Sequence, residues 1–369
     1  MTKVCHMTSA HDAEDIRIFH KECVSLAKAG YDVSLVERGE SYEKDGVHIV
    51  GVGEIPASRR KRMTEGAKKV YEAARAVDAD VYHLHDPELL PYGLKLKRAG
   101  KRVIFDSHEN YSEQIAVKPY LPRWMARLIS RVYNIYERHV LRHIDAVIFP
   151  CTINGKNPFN GKCRHTALLN NVPLLRELPV GDHGTADVFR AGYVGPIRSD
   201  RGNTENVQAC EAADVPLLFG GVPSSTEYQQ ALKQLDSKNL VTFCGQLDRA
   251  GVWNLLVSVS VGLVTELSVG QNNTSDNLPT KTYEYMAAGI PFLISDYPYA
   301  KEVVNRYNCG ICVDSENVEE SVHALRYLRE HPQIAHEMGE NGRRAVKEVF
   351  NWDVEEKKLL ALYADILKD

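Results

Sequence analysis

Two doubly wound α/β domains, each a parallel sheet with helices on both faces, are what three features of this sequence predict. Short apolar strand candidates alternate with helical stretches along nearly the whole chain, a pattern that calls for parallel strands and crossover helices. At 369 residues the chain is longer than one ordinary core supports. Between the halves lies NNVPLLRELPVGDHGTAD, rich in Pro, Gly and polar residues and weak in periodicity, which reads as a linker.

In the first half the strand candidates are KVCHMTS, DVSLVER, VYHLHD, RVIFDSHE and AVIFPC, with helical IRIFHKECVSLAKAG and PELLPYGLKLKRAG between them. In the second they are FRAGYVG, PLLFGG, VTFCG, VGLVTE, PFLISD and GICVD, separated by NTENVQACEAAD, STEYQQALKQLD, DRAGVWNLLVSV and TYEYMAAG. The segment DNLPTKTYEYMAAGIPFLISD, residues 276–296, joins a loop, a short helix and a buried strand. Pro279 suits the first helical turn, where a missing N–H costs little. Gly289 and Pro291 end the helix, and the apolar run from Ile290 to Ile294 predicts a strand covered on both faces.

Composition excludes several function classes. The formal net charge of −4 gives the whole chain no nucleic-acid footprint. The start, MTKVCHMTSAHD, lacks the apolar run of a signal peptide, and VWNLLVSVSVGLV is too short and polar to span a bilayer. A cytoplasmic chain is expected. Of eight cysteines most are isolated, as reduced thiols usually are. Cys309 and Cys312 have CxxC spacing, but they follow a helix and enter a strand, the reverse of a redox turn. No second CxxC completes a four-thiolate zinc site.

Ligands of open parallel sheets bind beyond the carboxyl ends of the strands, and unusual polar residues collect at those ends here. His11, Asp12, Glu14, Asp15 and Arg17 follow the first strand. His85 and Asp86 end VYHLHD, and Ser107, His108 and Glu109 follow RVIFD. In the second half GYVG leads into PIRSDRG, and VGLV into Thr265 and Glu266. One cleft lined from both sides is the economical expectation. The helix start after Asn277, with Leu278, Pro279 and Thr280, offers backbone N–H groups and a positive dipole end for a phosphate. Lys281 adds charge, and Glu284 suits a ribose diol, although a solvated helix carboxylate would read the same way.

The motifs carry the reading further. NLPTKTYEYMAAGIPFLISD, YPYAKEVV…CGICVD, FNWDVEEKKLLALYADIL and GYVGPIRSDRG in the second half resemble glycosyltransferase family 4. So do TSAHDAEDIRIFHKECVSLAKAGYDVSLV, DVYHLHDPELLPYGL and DSHENY in the first, which are similar to blocks of bacterial surface-polysaccharide members. The resemblance implies a GT-B fold: an N-terminal acceptor-side Rossmann-like domain at 1–170, a linker at 171–187 and a nucleotide-sugar-binding Rossmann-like domain at 188–351. The helix at 352–369 is expected to pack back on the first domain. It implies a metal-independent, retaining hexosyl transfer from a UDP- or GDP-sugar to a saccharide or lipid-linked acceptor, without cofactor or nucleic acid.

By that resemblance Glu284 holds the donor ribose and Arg201 neutralises the leaving diphosphate, while His108 approaches the donor sugar and acceptor hydroxyl. Gly195, Arg198, Asn277, Leu278, Pro279, Thr280 and Lys281 belong to the donor site, and Asp15, Arg17, His85 and Glu109 to the acceptor side. Asp276, counted with His108 and Arg201 as catalytic and expected to reach the donor sugar, stands where many members carry Glu, and Pro196 where many carry a basic residue that Arg198 would replace. Two other readings stay open. His83 and His85 alternate along one strand face, spacing that suits two metal ligands of a hydrolase; a non-catalytic nucleotide-sugar-binding subunit is the other.

Residues 122–143, PRWMARLISRVYNIYERHVLRH, place Arg123, Arg127, Arg131, Arg138 and Arg142 within roughly a 100° arc of a helix. An apolar arc of Trp124, Met125, Leu128, Ile129, Val132, Ile135 and Tyr136 lies beside and opposite it. The pattern fits peripheral docking on an anionic membrane at the inner face of the plasma membrane. It equally fits an apolar face packed on the sheet beneath a solvated arginine stripe.

Overall fold

The computed structural model describes residues 1–368 except 13, 57, 109–110, 117–121, 178–187 and 270–272. The chain divides into two compact units, Met1–Asn171 with Trp352–Asp369, and Val172–Asn351. Most of the expected linker, and Glu109 with it, lies outside the described residues.

Among the described residues the first unit carries an eight-stranded sheet: β1 (Lys3–Met7), β2 (Asp32–Glu37), β3 (Tyr42–Lys44), β4 (Val47–Gly51), β5 (Val81–Leu84), β6 (Arg102–Asp106), β7 (Ala146–Phe149) and β8 (His165–Leu168). Their order is β3-β4-β2-β1-β5-β6-β7-β8, parallel except for the β3–β4 hairpin. The apolar runs foreseen in the sequence form β1, β2, β5, β6 and β7; the structure adds β3, β4 and β8. The hairpin turns on Asp45 and Gly46, both at positive φ, the Asp-Gly geometry that matches strand twist. Strands β1 and β5 are enclosed by helices on both faces, and Val4, Cys5, Val81 and Leu84 are fully buried. The helix Trp352–Lys368 belongs to this unit: Leu359, Tyr363 and Ile366 are buried, and Trp352 Nε1 donates to Ser25 Oγ at 2.9 Å.

IRIFHKEC winds as a π-helix, Ile16–Cys23, before continuing as the α-helix Val24–Lys28. Asp15 caps it, its Oδ1 accepting from the Arg17 and Ile18 N–H groups at 2.8 and 2.9 Å. The wider turn brings Arg17, Lys21 and Glu22 onto one buried face. A charged face turned inward signals function rather than packing.

The second unit holds β9 (Ala191–Val194), β10 (Leu217–Gly220), β11 (Val241–Gly245), β12 (Val261–Val264), β13 (Phe292–Ser295) and β14 (Gly310–Val313). Their order, β11-β10-β9-β12-β13-β14, is that of a doubly wound sheet reversing between β9 and β12. Helix Thr280–Ala288 crosses from β12 to β13 and ends on Gly289 as expected. Pro279 stands one place earlier than expected, at the cap itself. The buried Tyr285 anchors this helix to the sheet, its OH donating to Gly192 O at 3.0 Å and accepting from Val194 N–H at 3.2 Å. Its ring lies flat on Gly262, where a Cβ would come within 2.4 Å of ring carbons. Glycine at 262 is what lets the helix sit that low.

Candidate active site

In the second unit, polar groups gather beyond the reversal between β9 and β12. Gly195 leaves β9 at φ +132°, a conformation side chains rarely adopt, and a Cβ there would sit 3.8 Å from Lys281 Nζ. Glu266, just past β12 and only 4% exposed, organises the cations. Its Oε2 meets Arg201 Nη1 at 2.5 Å and its Oε1 lies 3.3 Å from Lys281 Nζ. Lys281 Nζ also stands 4.2 Å from the centroid of the Tyr193 ring. Burial works against the charge of Arg201, but the Glu266 hydrogen bond and field carry its pKa above the ordinary value. Two cations are thus held around one carboxylate, Arg201 about a third exposed and Lys281 mostly buried, beside the N-terminus of helix Thr280–Ala288. The cap residue there, Pro279, offers no side-chain hydrogen bond to that N-terminus, and the helix dipole adds to the same positive field.

The backbone here is braced from behind. Glu266 O accepts from Ser295 Oγ at 2.7 Å, Asn273 Nδ2 at 3.0 Å and Ser315 Oγ at 3.1 Å, and Asn277 O accepts from Tyr297 OH at 2.8 Å. Leu278 is buried, while Asp276 and Asn277 are half-buried. Glu284 pairs with Arg249 Nη1 at 2.6 Å, and Arg198 forks onto Asp200 at 2.8 and 3.1 Å. Arg201, Lys281 and Gly195 therefore converge, whereas Arg198 is engaged by its own loop. Arg249 carries no signal in the sequence, and Glu266 is placed there only as a strand-end polar residue without a role. The strand-end position of Glu266 was the available signal, whereas its role needs the partners in view.

The first unit holds a second polar centre, again at its sheet reversal, between β1 and β5. Arg17 is buried and binds Asp106 twice, Nε to Oδ2 at 2.7 Å and Nη2 to Oδ1 at 2.9 Å. Burial raises the Asp106 pKa, but Arg17 and then His108 outweigh it and hold the carboxyl well below its usual range. His108 Nε2 lies 3.2 Å from Asp106 Oδ2 and 3.2 Å from His85 Nδ1. Burial, partly offset by Asp106, lowers the His85 pKa to about 4, so this imidazole is neutral at pH 7. Asp106 Oδ2 holds His108 by Nε2, which turns Nδ1 of that ring away from the carboxylate.

The acceptor-side expectations therefore divide. Asp15 is a helix cap; Arg17 and His85 are enclosed instead of meeting solvent, Arg17 reaching His108 through Asp106 and His85 touching it directly. His83 is fully buried like His85, so the pair offers a hydrolytic metal no open position for substrate, and the hydrolase reading fails there. His11 and Asp86 form a further pair at 3.3 Å, and the His11 ring stands 4.7 Å from that of His108.

Helix Arg123–Leu141 settles one packing question. Its buried side is Ala126, Glu137, Val140 and Leu141, with Glu137 paired to Lys162 at 3.2 Å. Trp124 at 69% and Ile135 at 73% exposure lead an outward apolar strip with Leu128, Ile129 and Val132. The five arginines beside it are exposed as well. Of the apolar arc only Tyr136 packs against the domain core and Met125 is half-buried, while the rest of the arc faces outward. No described helix is long and apolar enough to cross a membrane.

Comparison with known proteins agrees with this architecture. Residues 190–345 match the family described as glycosyl transferases group 1, and residues 17–153 match the glycosyl transferase 4-like domain. A curated relative, MMP alpha-(1->4)-mannosyltransferase of Mycolicibacterium hassiacum, is 23% identical over 318 residues, 79% of this chain and 72% of that protein. Among solved structures, sucrose-phosphate synthase of Thermosynechococcus elongatus superposes with TM-score 0.78 at 20% identity over all of both chains. Anabaena HepE in complex with UDP and glucose superposes with TM-score 0.71 at 13% identity, over 99% of this chain and 100% of that one. The two matched domains cover most of the sequence in the order the family has them, and the chain belongs to the GT-B glycosyltransferases of the family 4 type.

Proposed function

We propose that this glycosyltransferase moves a hexose from a UDP- or GDP-sugar to a saccharide or lipid-linked hydroxyl, with retention at the anomeric carbon, in surface polysaccharide synthesis. The observation that carries the donor half is the pair of cations, Arg201 and Lys281, set on Glu266 beside a helix start. Breaking a glycosyl–phosphate bond develops negative charge on the diphosphate, and preorganised cations and N–H groups lower that barrier. Attack on the same face, assisted by a leaving phosphate oxygen, needs no side-chain nucleophile and no metal. The relatives crystallised with UDP and glucose support the donor class. On the acceptor side His108 presents its Nδ1 to a hydroxyl.

Glu284 receives the ribose diol in this reading, and Arg249 occupies it until then. Calorimetry with UDP and GDP is the test. Glu284→Ala should weaken the cognate nucleotide about tenfold, the scale of a hydrogen bond to a charged group. Arg249→Ala should leave it within about threefold, since an exposed ion pair contributes little. Unchanged affinity in Glu284→Ala would make this carboxylate structural only.

The lipid-linked acceptor rests on helix Arg123–Leu141. Exposed arginines beside an exposed apolar strip match an anionic headgroup layer in charge and in depth, each cation adding about 1 kcal/mol near the surface. Sedimentation with phosphatidylglycerol vesicles should recover the protein at low salt. Recovery should fall when salt is raised or when the five arginines become glutamine. Equal recovery on neutral vesicles, or none at low salt, overturns the docking.

A further inference from the structure

Behind His108, and apart from any donor contact, lies a denser cluster of which the transfer reading uses only His85. His6 on β1 and His83 on β5 are neighbours in register. His85 follows on the same face, and Glu22 reaches in from the π-helix. All four are fully buried. One donor atom from each lies within 4.8 Å of the others, with His6 Nδ1 to His85 Nε2 at 2.9 Å and His83 Nε2 to Glu22 Oε2 at 3.7 Å. A tetrahedral zinc ion with ligands at about 2.0–2.1 Å spaces its donors about 3.3 Å apart. The measured spacings bracket that value.

Two observations say that the cluster is aimed at a cation. Among the described residues neither Glu22 oxygen nor His83 Nε2 has a hydrogen-bond partner, although such buried groups are nearly always satisfied. Glu22 Oε1 has only an ion-pair contact at 3.2 Å with Arg17 Nε, whose guanidinium is committed to Asp106. Two carboxylates thus share one guanidinium, and with both ionised the buried group is one positive charge short. The converging nitrogens of His6 and His85 meet only each other, at 2.9 Å, and the rear nitrogens of the three rings are all engaged. His83 Nδ1 lies 2.9 Å from Tyr363 OH and His6 Nε2 3.4 Å from the same hydroxyl; His85 Nδ1 faces Asp106 Oδ2 at 3.5 Å. Ring nitrogens held from behind by a hydroxyl and a carboxylate, with the opposite nitrogens converging, form the outer shell that orients metal-binding imidazoles.

We infer that His6, His83, His85 and Glu22 form a closed binding site for one divalent transition-metal ion, Zn2+ by its three-imidazole, one-carboxylate donor set. With four protein ligands and no solvent access the ion is structural. It ties β1, β5 and the π-helix together and, through Tyr363, the C-terminal helix of the same unit. It takes no part in the transfer, and the expectation of metal-independent chemistry stands beside it. Because the site is enclosed, the ion enters as the chain folds.

Metal analysis of the untagged full-length chain, produced with added zinc and passed through gel filtration, should return about one equivalent per chain. Refolding with Co2+ alone should give the visible absorption of a tetrahedral cobalt site. Glu22→Gln and His83→Asn should each drop the metal below about a tenth of an equivalent. Protein with native circular dichroism that holds less than that in the wild type, and shows no cobalt band after refolding, overturns the site. Glu22 would then be a neutral buried acid in a metal-free histidine stack. A folded variant that keeps a full equivalent overturns it equally, since the ion must then sit elsewhere. No substrate enters these measurements, so their failure leaves the transfer reading intact.

Discussion

Arg201→Ala should lower sugar transfer by about 10²- to 10³-fold, the range seen when one preorganised donor to developing negative charge is removed. The reason is positional. Arg201 is held by Glu266 at 2.5 Å and is still about a third exposed, so it is fixed in direction yet open to a ligand. Lys281, tied to the other oxygen of Glu266 at 3.3 Å, remains in the variant and keeps part of the field. Arg201→Lys should recover only part of the loss, because an ammonium lacks the planar fork that grips phosphate oxygens at two points. Initial rates with a labelled nucleotide sugar measure the first effect. Calorimetry with nucleoside mono- and diphosphates separates the second, since the affinity lost should be larger for the diphosphate. An equal loss for both would move Arg201 away from the leaving group.

The sequence made the donor half more legible than the acceptor half, for a physical reason. The helix Thr280–Ala288 is announced by local chemistry alone: Pro279 at its start, Gly289 at its end, Lys281 and Glu284 at fixed offsets. The position of Glu266 could be read as a strand end, but two cations sharing its oxygens depend on a β9–β12 pairing that no local pattern encodes. In the first unit the difficulty is greater. Arg17 reads as an exposed binding residue until the π-helix turns it inward, and nothing in IRIFHKEC announces the extra residue per turn. Tyr363 comes from the far end of the chain to meet His83, a separation of 280 residues. The short strands β3, β4 and β8 were passed over because half-exposed edges lack the apolar runs that mark buried ones. Helix Arg123–Leu141 shows the converse limit. Its periodicity was plain, but the outward direction of its apolar arc follows from the small residue Ala126 and the Glu137–Lys162 pair seating the opposite face.

His108→Ala should lower turnover by about 10²-fold while leaving UDP or GDP affinity within about twofold, the signature of a group that serves the reacting end and not the nucleotide. The geometry explains the split. His108 lies in the first unit at a strand end of β6, with Nε2 turned inward to Asp106 at 3.2 Å and its side chain 17% exposed. Arg17 fixes Asp106 from behind, so the imidazole has one direction before any ligand arrives. Preorganisation of that kind lowers the barrier without tightening the ground state. His108→Gln can restore an acceptor toward the hydroxyl but not the fixed ring, and should recover only a fraction of the rate. Single-turnover measurements at saturating donor isolate the step. Wild-type turnover in His108→Ala, or an equal loss of nucleotide affinity and rate, would remove His108 from the sugar and acceptor side and leave it a packing residue over Asp106.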